Sequence, residues 1–496
     1  MRIFIFNFLL LLFVINGKNL RHLKEILISS ESPSMQNPYI VGSINNYVYS
    51  NHKALSTNQN IFFKSLNSKI AGQSIIYITE KGKILAYTNI TKEGDVSNIN
   101  LSEFYGINAA ILVQGGELII NFGIIKIFSE IGSAVFSTNK GKISITGAII
   151  SSFGEQYSKG LQASFGSLIS GLDLTLSTIG DYSPALYVGQ GKGIIKCSKC
   201  TLSTLGKNSP LIYSLGEIII EKTKGKSLSS QMVTIEGNNN VSIKDHSSLE
   251  CNAYSSSEND DTSGVKLFQP ISRNDEKGIA NFYCFDSSLK ISSGSAVYGS
   301  APMFLIKNTK VKIILNNCSF NYGSDIFIST KGAFLKRNSI LNGSEIYLIL
   351  INQEIKGDLD IGNNSSLELM MINSTLIGKI NSRKTASKLT INLDSKSHII
   401  LNGNSYYTSL NNTDVTDSNI EIGNYLFKQY NESKNGNDYI DTNKFVTLGN
   451  LISFCFFSSS GNTEDKIIEA IIELIIFICC ASYIIYKCPR NNQNNI

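Results

Sequence analysis

The apolar positions of this chain follow two patterns: unbroken runs at its ends, and short alternating pieces everywhere between. Residues 3–15 are almost wholly apolar, stand behind Arg2 and lead into Asn16-Gly17-Lys18. This layout predicts a cleavable signal peptide over 1–17, because the run is too short to span a bilayer comfortably and Gly17 offers the small residue a peptidase cuts after. At the other end 467–486 is apolar apart from Glu469 and Glu473, and is followed by Lys487 and Arg490. About 20 residues match one bilayer thickness as a helix. The two glutamates share one face near the outer interface, and the trailing cations predict a cytoplasmic tail at 487–496. A polar tail also disfavours a lipid-anchor signal, which ends in apolar residues.

Between the ends the apolar residues alternate over strand-sized pieces, as in Gly116-Glu117-Leu118-Ile119-Ile120 and Gly141-Lys142-Ile143-Ser144-Ile145-Thr146, with Gly, Ser or Asn turns between. No sustained helical period occurs from Lys18 to Asp465. The pieces repeat. Leu176-Ser177-Thr178-Ile179-Gly180-Asp181-Tyr182-Ser183-Pro184-Ala185-Leu186-Tyr187 aligns without a gap on Leu202-Ser203-Thr204-Leu205-Gly206-Lys207-Asn208-Ser209-Pro210-Leu211-Ile212-Tyr213. Fainter copies precede them at 150–161, 132–135 and 108–111. A period of about 24 to 26 residues, holding two or three strands, describes one turn of a parallel β-solenoid, with coils stacked at about 4.8 Å. The expected fold class is therefore all-β: a right-handed parallel β-helix ectodomain plus one C-terminal transmembrane helix. About a dozen coils over 105–430 would make a rod roughly 60 Å long. Residues 18–104 read as N-terminal cap and first coils, and 431–466 as C-terminal cap and linker, with 445–457 closing the last coil. Turns become irregular after Val233, and 255–264 reads as a polar loop.

Composition narrows the partners. The net charge is +5, with no tryptophan and few prolines. There is no basic stripe for nucleic acid, so the expected partners are the membrane, crossed once, and an extracellular glycan or surface protein. In a secreted chain the sequons at Asn89, Asn100, Asn240, Asn317, Asn342, Asn363, Asn364, Asn373, Asn411 and Asn431 are candidate glycosylation sites. Cys197, Cys200, Cys251, Cys284, Cys318 and Cys455 are candidate disulfide cysteines whose pairing sequence does not choose. Cys197 and Cys200 have redox or zinc spacing, but no second CxxC is near and His22, His52, His246 and His398 are scattered, so a structural role is expected. Cys479, Cys480 and Cys488 belong to the membrane end, where acylation is conceivable chemistry.

Lys92-Glu93-Gly94-Asp95, then Glu103-Phe104-Tyr105-Gly106-Ile107-Asn108-Ala109-Ala110-Ile111-Leu112, and the Ser-Pro-Ala-Leu-Tyr and Ser-Pro-Leu-Ile-Tyr coils at 183–187 and 209–213, resemble bacterial adhesin-like β-helix surface proteins of the pectin-lyase-like group. The resemblance extends over about 92–430 and implies a right-handed parallel β-helix with an adhesin-like or carbohydrate-binding role. The membrane segment, sequons and cysteines depart from that family.

The same fold hosts polysaccharide lyases and glycosidases, whose chemistry needs paired or clustered carboxylates. Asp260-Asp261 reads as solvated loop charge. Asp358 and Asp360 read as an exposed strand face that could hold a cation. Asp245 and His246 are expected to point to opposite faces of a strand. No catalysis, metal site or cofactor is therefore expected. Tyr157, Tyr182, Tyr187 and Tyr213 recur near coil turns and are candidate glycan-stacking residues if they point outward; inward they would be packing ladders. The rival readings are a structural surface-coat spacer and, further off, a pectin-lyase-like polysaccharide-degrading enzyme.

Overall fold

The computed structural model describes residues 39–41, 61–79, 83–96, 105–254, 261–270, 278–331, 333–334 and 341–430. The predicted signal peptide, cap segment 445–457, span 467–486 and tail, together with Asn100, Asn431, Cys455 and Asp260, lie outside them. Every named element is a strand. Among the described residues no helix is long and apolar enough to cross a membrane.

The strands pair in parallel, apart from one short antiparallel pair, Ala333–Phe334 with Leu341–Asn342. Each coil contributes one strand to each of up to three stacked sheets, as a parallel β-helix requires. The first sheet has 12 strands, running from Tyr39–Val41 through Ile111–Gln114, Leu186–Val188 and Phe304–Lys307 to Asp358–Asp360. The strand Lys142–Ser152 shows how the other two arise. Its first half pairs with Leu168–Leu172 and its second half with Thr175–Thr178, so one long strand feeds two sheets that later coils build from separate strands.

Register converts the sequence alternation into a core. On the first sheet Ile111, Val135, Leu161, Leu186, Ile212 and Val233 are successive partners. On the second, Ile143, Ile169, Ile195, Ile218, Val241 and Phe282 are. All of these are at most 1% exposed and belong to one continuous apolar cluster. Each such side chain contributes about 1.5–3 kcal/mol when taken from water. Where the third ladder reaches Gly225, the missing side chain makes room for its neighbours: a Cβ there would lie 2.6 Å from Leu211 Cδ1 and 2.8 Å from Leu249 Cδ2.

Corners are short because single residues turn the chain in the left-handed region. Between the second and third sheets these are Asp173, Lys199, Lys222, His246, Asp286, Asn317, Asn352 and Asn373, with φ from 46° to 61°. Asn and Asp tolerate that conformation best among residues with side chains. A corner also leaves buried backbone N–H groups facing the next coil, and hydroxyls answer them. Ser158 N donates to Ser183 Oγ (2.8 Å) and Ser183 N to Ser209 Oγ (2.8 Å) at one corner. At another, Thr223 N donates to Ser247 Oγ (3.1 Å), Ser247 N to Ser287 Oγ (3.2 Å) and, further on, Ser374 N to Ser397 Oγ (3.1 Å).

These bonds also measure the coils. The spacing is 25 or 26 residues at Ser158, Ser183 and Ser209. It stretches to 40 from Ser247 to Ser287 and shrinks to 21 from Gln353 to Ser374. From Ile111 to Ser247 the coils stay close to the expected period, whereas the first described coils and the later ones depart from it through the length of their loops while their strands stay in register.

Replacing Ser183 with Ala leaves the buried Ser158 N–H without its acceptor, a loss of about 1–3 kcal/mol. Hydrogen exchange is the measurement, because a solenoid can open coil by coil. The Ser158 amide should exchange at least roughly tenfold faster, with amides of distant coils unchanged; equal protection in the variant would remove the hydroxyl ladder from the account.

Candidate functional site

The tyrosines singled out by the repeat point outward. Tyr187 sits between the buried core residues Leu186 and Val188, and so projects from the opposite side of its strand. Tyr213 is its register partner on the next coil; the rings are 5.6 Å apart and tilted by 47°. Lys159 Nζ lies 4.9 Å from the centre of the Tyr187 ring, and the Tyr213 hydroxyl donates to the Glu236 carboxylate. Tyr157 and Tyr182 occupy left-handed corners with φ 52° and stack at 5.1 Å, with Tyr182 45% exposed. Their backbones fix this arrangement, since Tyr157 N bonds Asp181 O and Tyr182 N bonds Lys207 O. Three successive coils thus present a stacked pair at a corner and a tilted pair on the neighbouring sheet face.

The outer side of the first sheet changes character along its length. Tyr77, Leu112, Phe136 and Gln162 are the outward register partners preceding Tyr187, and all four are buried. Tyr77, Leu112 and Phe136 form an apolar cluster with Ala109 and Ile107 outside the main core.

The acidic candidates differ from expectation. Asp261, read as a solvated loop charge, is 6% exposed and bridges Lys266 (2.8 Å) and Lys307 (2.7 Å). Burial works to raise its pKa, but the hydrogen bonds and charges of the two lysines outweigh it and hold the carboxyl below the usual range. Asp358 is buried rather than exposed; it accepts from the Lys379 backbone N (2.8 Å) and pairs with Lys379 Nζ (3.0 Å). Asp360 takes a forked bond from Arg383, at 2.7 and 2.9 Å from Nη2. Each aspartate therefore carries its own cation from the next coil, an ion-pair ladder rather than an open cation site.

Asp245 and His246 are not on a strand at all. Both are in the left-handed corner, where Asp245 pairs with Lys222 (3.0 Å). His246 instead lines a polar groove of about 410 Å³ with Asp286, Asn317, Ser288, Ser319 and Cys318. Sequence reasoning missed this groove because three successive coils build it, each giving residues from the same corner. The signal available was a polar His246, Asp286 or Asn317 standing directly before Ser247, Ser287 or Cys318 at those corners.

Cys197 and Cys200 form a disulfide within one coil, the structural alternative expected for them. Cys251 is a buried thiol, pushed up to about 12 by burial. Cys284 and Cys318 are buried thiols of neighbouring coils. Among the described residues no group of His, Cys, Asp and Glu is arranged to hold a metal.

Of the sequons, Asn89, Asn317, Asn363, Asn364, Asn373 and Asn411 are exposed and Asn240 is half-buried; Asn342 falls in the strand Leu341–Asn342. Several belong to amide ladders: Asn317 Nδ2 donates to Asp286 Oδ1 (2.7 Å), Asn373 Nδ2 to Asn352 Oδ1 (2.7 Å), and Asn411 Nδ2 to Asn392 Oδ1 (2.8 Å). A glycosylated amide keeps one N–H, so the ladder bond and a glycan are chemically compatible.

The segment Lys92 to Asp95, with Asn108, is an internal knot. Lys92 is wholly buried, with Nζ donating to Ile70 O (2.9 Å) and to Glu93 O. Gly94 has φ 92°, and a Cβ there would lie 2.5 Å from Lys69 O. Asn108 accepts from Gly72 N (3.1 Å) and donates to Gly94 O and Glu130 O (3.2 Å each), while Asp95 accepts from Glu130 N (2.7 Å). The motif therefore sews neighbouring coils together.

Burial lowers the Lys92 pKa from 10.5 to about 8, with Asp95 and Glu93 opposing the shift. The folded state sheds this proton before the unfolded chain does. Between about pH 8 and 10.5 the unfolded state thus binds more protons, and stability from this group rises with pH; below pH 8 the full desolvation cost applies. Melting measured from pH 7 to 10 should show wild type gaining on Lys92→Gln as pH rises. A constant difference would contradict the buried, shifted amine. At the acidic pair, Asp261→Ala should destabilise by about 2–4 kcal/mol, since it leaves two lysines without their buried partner, which denaturant titration would read.

No family model, curated protein or solved structure matches the chain.

Proposed function

We propose that this chain is a single-pass, type I surface protein whose ectodomain, a right-handed parallel β-helix, is a non-enzymatic adhesin-like scaffold that binds carbohydrate. The handedness rests on the general preference of parallel crossovers, and the topology on the apolar runs at 3–15 and 467–486 with Lys487 and Arg490 behind the second. The family resemblance points the same way. Exposed sequons on the coil corners suit glycan attachment in the secretory pathway.

The observation that carries the reading is the outward tyrosine set. Sugars present flat C–H faces that stack on aromatic rings, and their hydroxyls take hydrogen bonds from nearby polar groups. Tyr182 offers an exposed ring held by its stack on Tyr157. Tyr187 and Tyr213 add a second pair with Lys159 and Glu236 in contact. Rings fixed by backbone register lose little entropy on binding, which favours affinity at a shallow surface. The aspartates that a lyase or glycosidase reading would use are engaged by lysine or arginine.

The test is binding of the purified full-length chain, in detergent, to a glycan array and to matrix surfaces, with polysaccharide turnover assayed in the same samples. Selective binding that falls at least roughly tenfold in Tyr182→Ala and in the Tyr187→Ala, Tyr213→Ala double variant would support the reading. Turnover would replace it with an enzyme. Absence of both binding and turnover would leave the structural spacer.

A further inference from the structure

We propose that Cys284 and Cys318 form a disulfide that ties two successive coils together. Cys318 Sγ lies 2.7 Å from Cys284 Sγ across a sequence separation of 34 residues. That distance is well inside the ~3.5–4.0 Å at which unbonded heavy atoms rest, and within an ångström of the ~2.05 Å of a sulfur–sulfur bond. Both sulfurs are buried, Cys284 at 0% and Cys318 at 7% exposure.

The position of each cysteine in the coil explains the approach. Cys284 follows Cys197, Ile220 and Ile243 in one inward ladder on the second sheet. Cys318 stands in the corner column that elsewhere holds Thr223, Ser247 and Ser287, the hydroxyls that accept backbone N–H groups from the preceding coil. Cys197 and Cys200 occupy the same two columns and are bonded within one coil. In the coil of Cys284 the corner residue is Ser287, so its sulfur faces the next coil's corner. Cys318 itself is fixed, because its N donates to Gln353 Oε1 (2.8 Å) and its carbonyl accepts from Gln353 Nε2 (2.6 Å). Cys251 is not a competitor: it lies on the third sheet with its sulfur against Gly264 O at 4.0 Å.

The groove beside His246, Asp286 and Asn317 supplies the route for oxidation, since Cys318 is among its lining residues. The co-reactant is a small-molecule disulfide such as glutathione disulfide. The Cys318 thiolate attacks it, forming a mixed disulfide and releasing one glutathione thiolate that takes up a proton. The Cys284 sulfur, losing its own proton, then attacks Cys318 Sγ and displaces the second glutathione. Two protein thiols are oxidised and one glutathione disulfide is reduced to two thiols, so the exchange balances.

The bond would close the solenoid where its coils are least regular. The spacing from Ser247 to Ser287 is 40 residues, against 23 and 24 for the two preceding steps in the same corner column. A cross-link immediately after this stretch holds the register of the coil that follows this long excursion.

Peptide mapping decides the matter. The full-length chain is equilibrated with glutathione disulfide, unfolded, alkylated without reductant, digested and analysed by mass spectrometry. The expected result is one cross-linked species containing Cys284 and Cys318, with Cys251 recovered alkylated and with Cys197 and Cys200 joined. In Cys284→Ser the cross-link should be lost completely, and Cys318 should appear alkylated or carrying glutathione. Recovery of Cys284 and Cys318 each alkylated in the wild type, or of either joined to Cys251, would overturn the proposal.

Discussion

The structure depends on one constraint: a polypeptide that turns inward on itself every coil must find a partner for each buried corner N–H. Strand N–H groups find carbonyls on the neighbouring coil automatically. Left-handed corner residues such as Tyr157, Tyr182 and Lys199 also reach a carbonyl of the next coil, but the residues beside them do not, and an unbonded N–H there costs about 1–3 kcal/mol. Ser, Thr and Gln side chains of the next coil answer them at Ser158, Ser183, Cys200, Thr223, Ser247, Cys318, Gln353 and Ser374. Because each hydroxyl belongs to the following coil, the same bond that satisfies a corner also sets the register between coils. Register in turn places the apolar ladders inward and the tyrosines outward, since a slip of one residue would exchange the two faces.

That dependence explains what could be read along the chain. The copies at 176–187 and 202–213 contain the corner serines Ser183 and Ser209, the inward Leu186 and Ile212, and the outward Tyr187 and Tyr213 at equal offsets. All three roles repeat together, so the solenoid was legible from them. Loops carry no such constraint. The excursion between the Cys251 and Ala280 strands keeps Cys251 paired with Ile291 and Val241 with Phe282, while the residues between are free to vary in number. Period therefore faded where pairing did not.

Charged residues were harder to place, for a different reason. The i, i+2 spacing of Asp358 and Asp360 correctly put both on one strand, Asp358–Asp360. Their cations, Lys379 and Arg383, come from the next coil, a distance no local pattern encodes. Asp261 likewise meets Lys266 from its own coil but Lys307 from the next. The expectation that Asp245 and His246 point to opposite faces rests on the geometry of a strand. A left-handed corner breaks that rule, and the imidazole joins Asp286 and Asn317 from following coils in a groove. Side chains that act across coils are legible only once the coil boundaries are known to the residue.

Two stretches of the sequence divide between coil stacking and the outer surface. The segment from Lys92 to Asp95 with Asn108 is used up internally: a buried ammonium on two carbonyls, a glycine no side chain could replace, and an asparagine bonded on both sides. Such residues identify a way of stacking coils and carry no information about a ligand. The Ser-Pro-Ala-Leu-Tyr and Ser-Pro-Leu-Ile-Tyr segments divide differently. Their serines and the Leu or Ile before each tyrosine are spent on corner and core, but Tyr187 and Tyr213 lie on the outside of the sheet, where coil stacking alone does not require an aromatic ring. At the equivalent outward position the earlier coil carries Gln162 and the later one Thr234. The scaffold thus accepts polar residues there, and two successive tyrosines beside a stacked tyrosine corner are the part of this surface that the fold does not explain by itself.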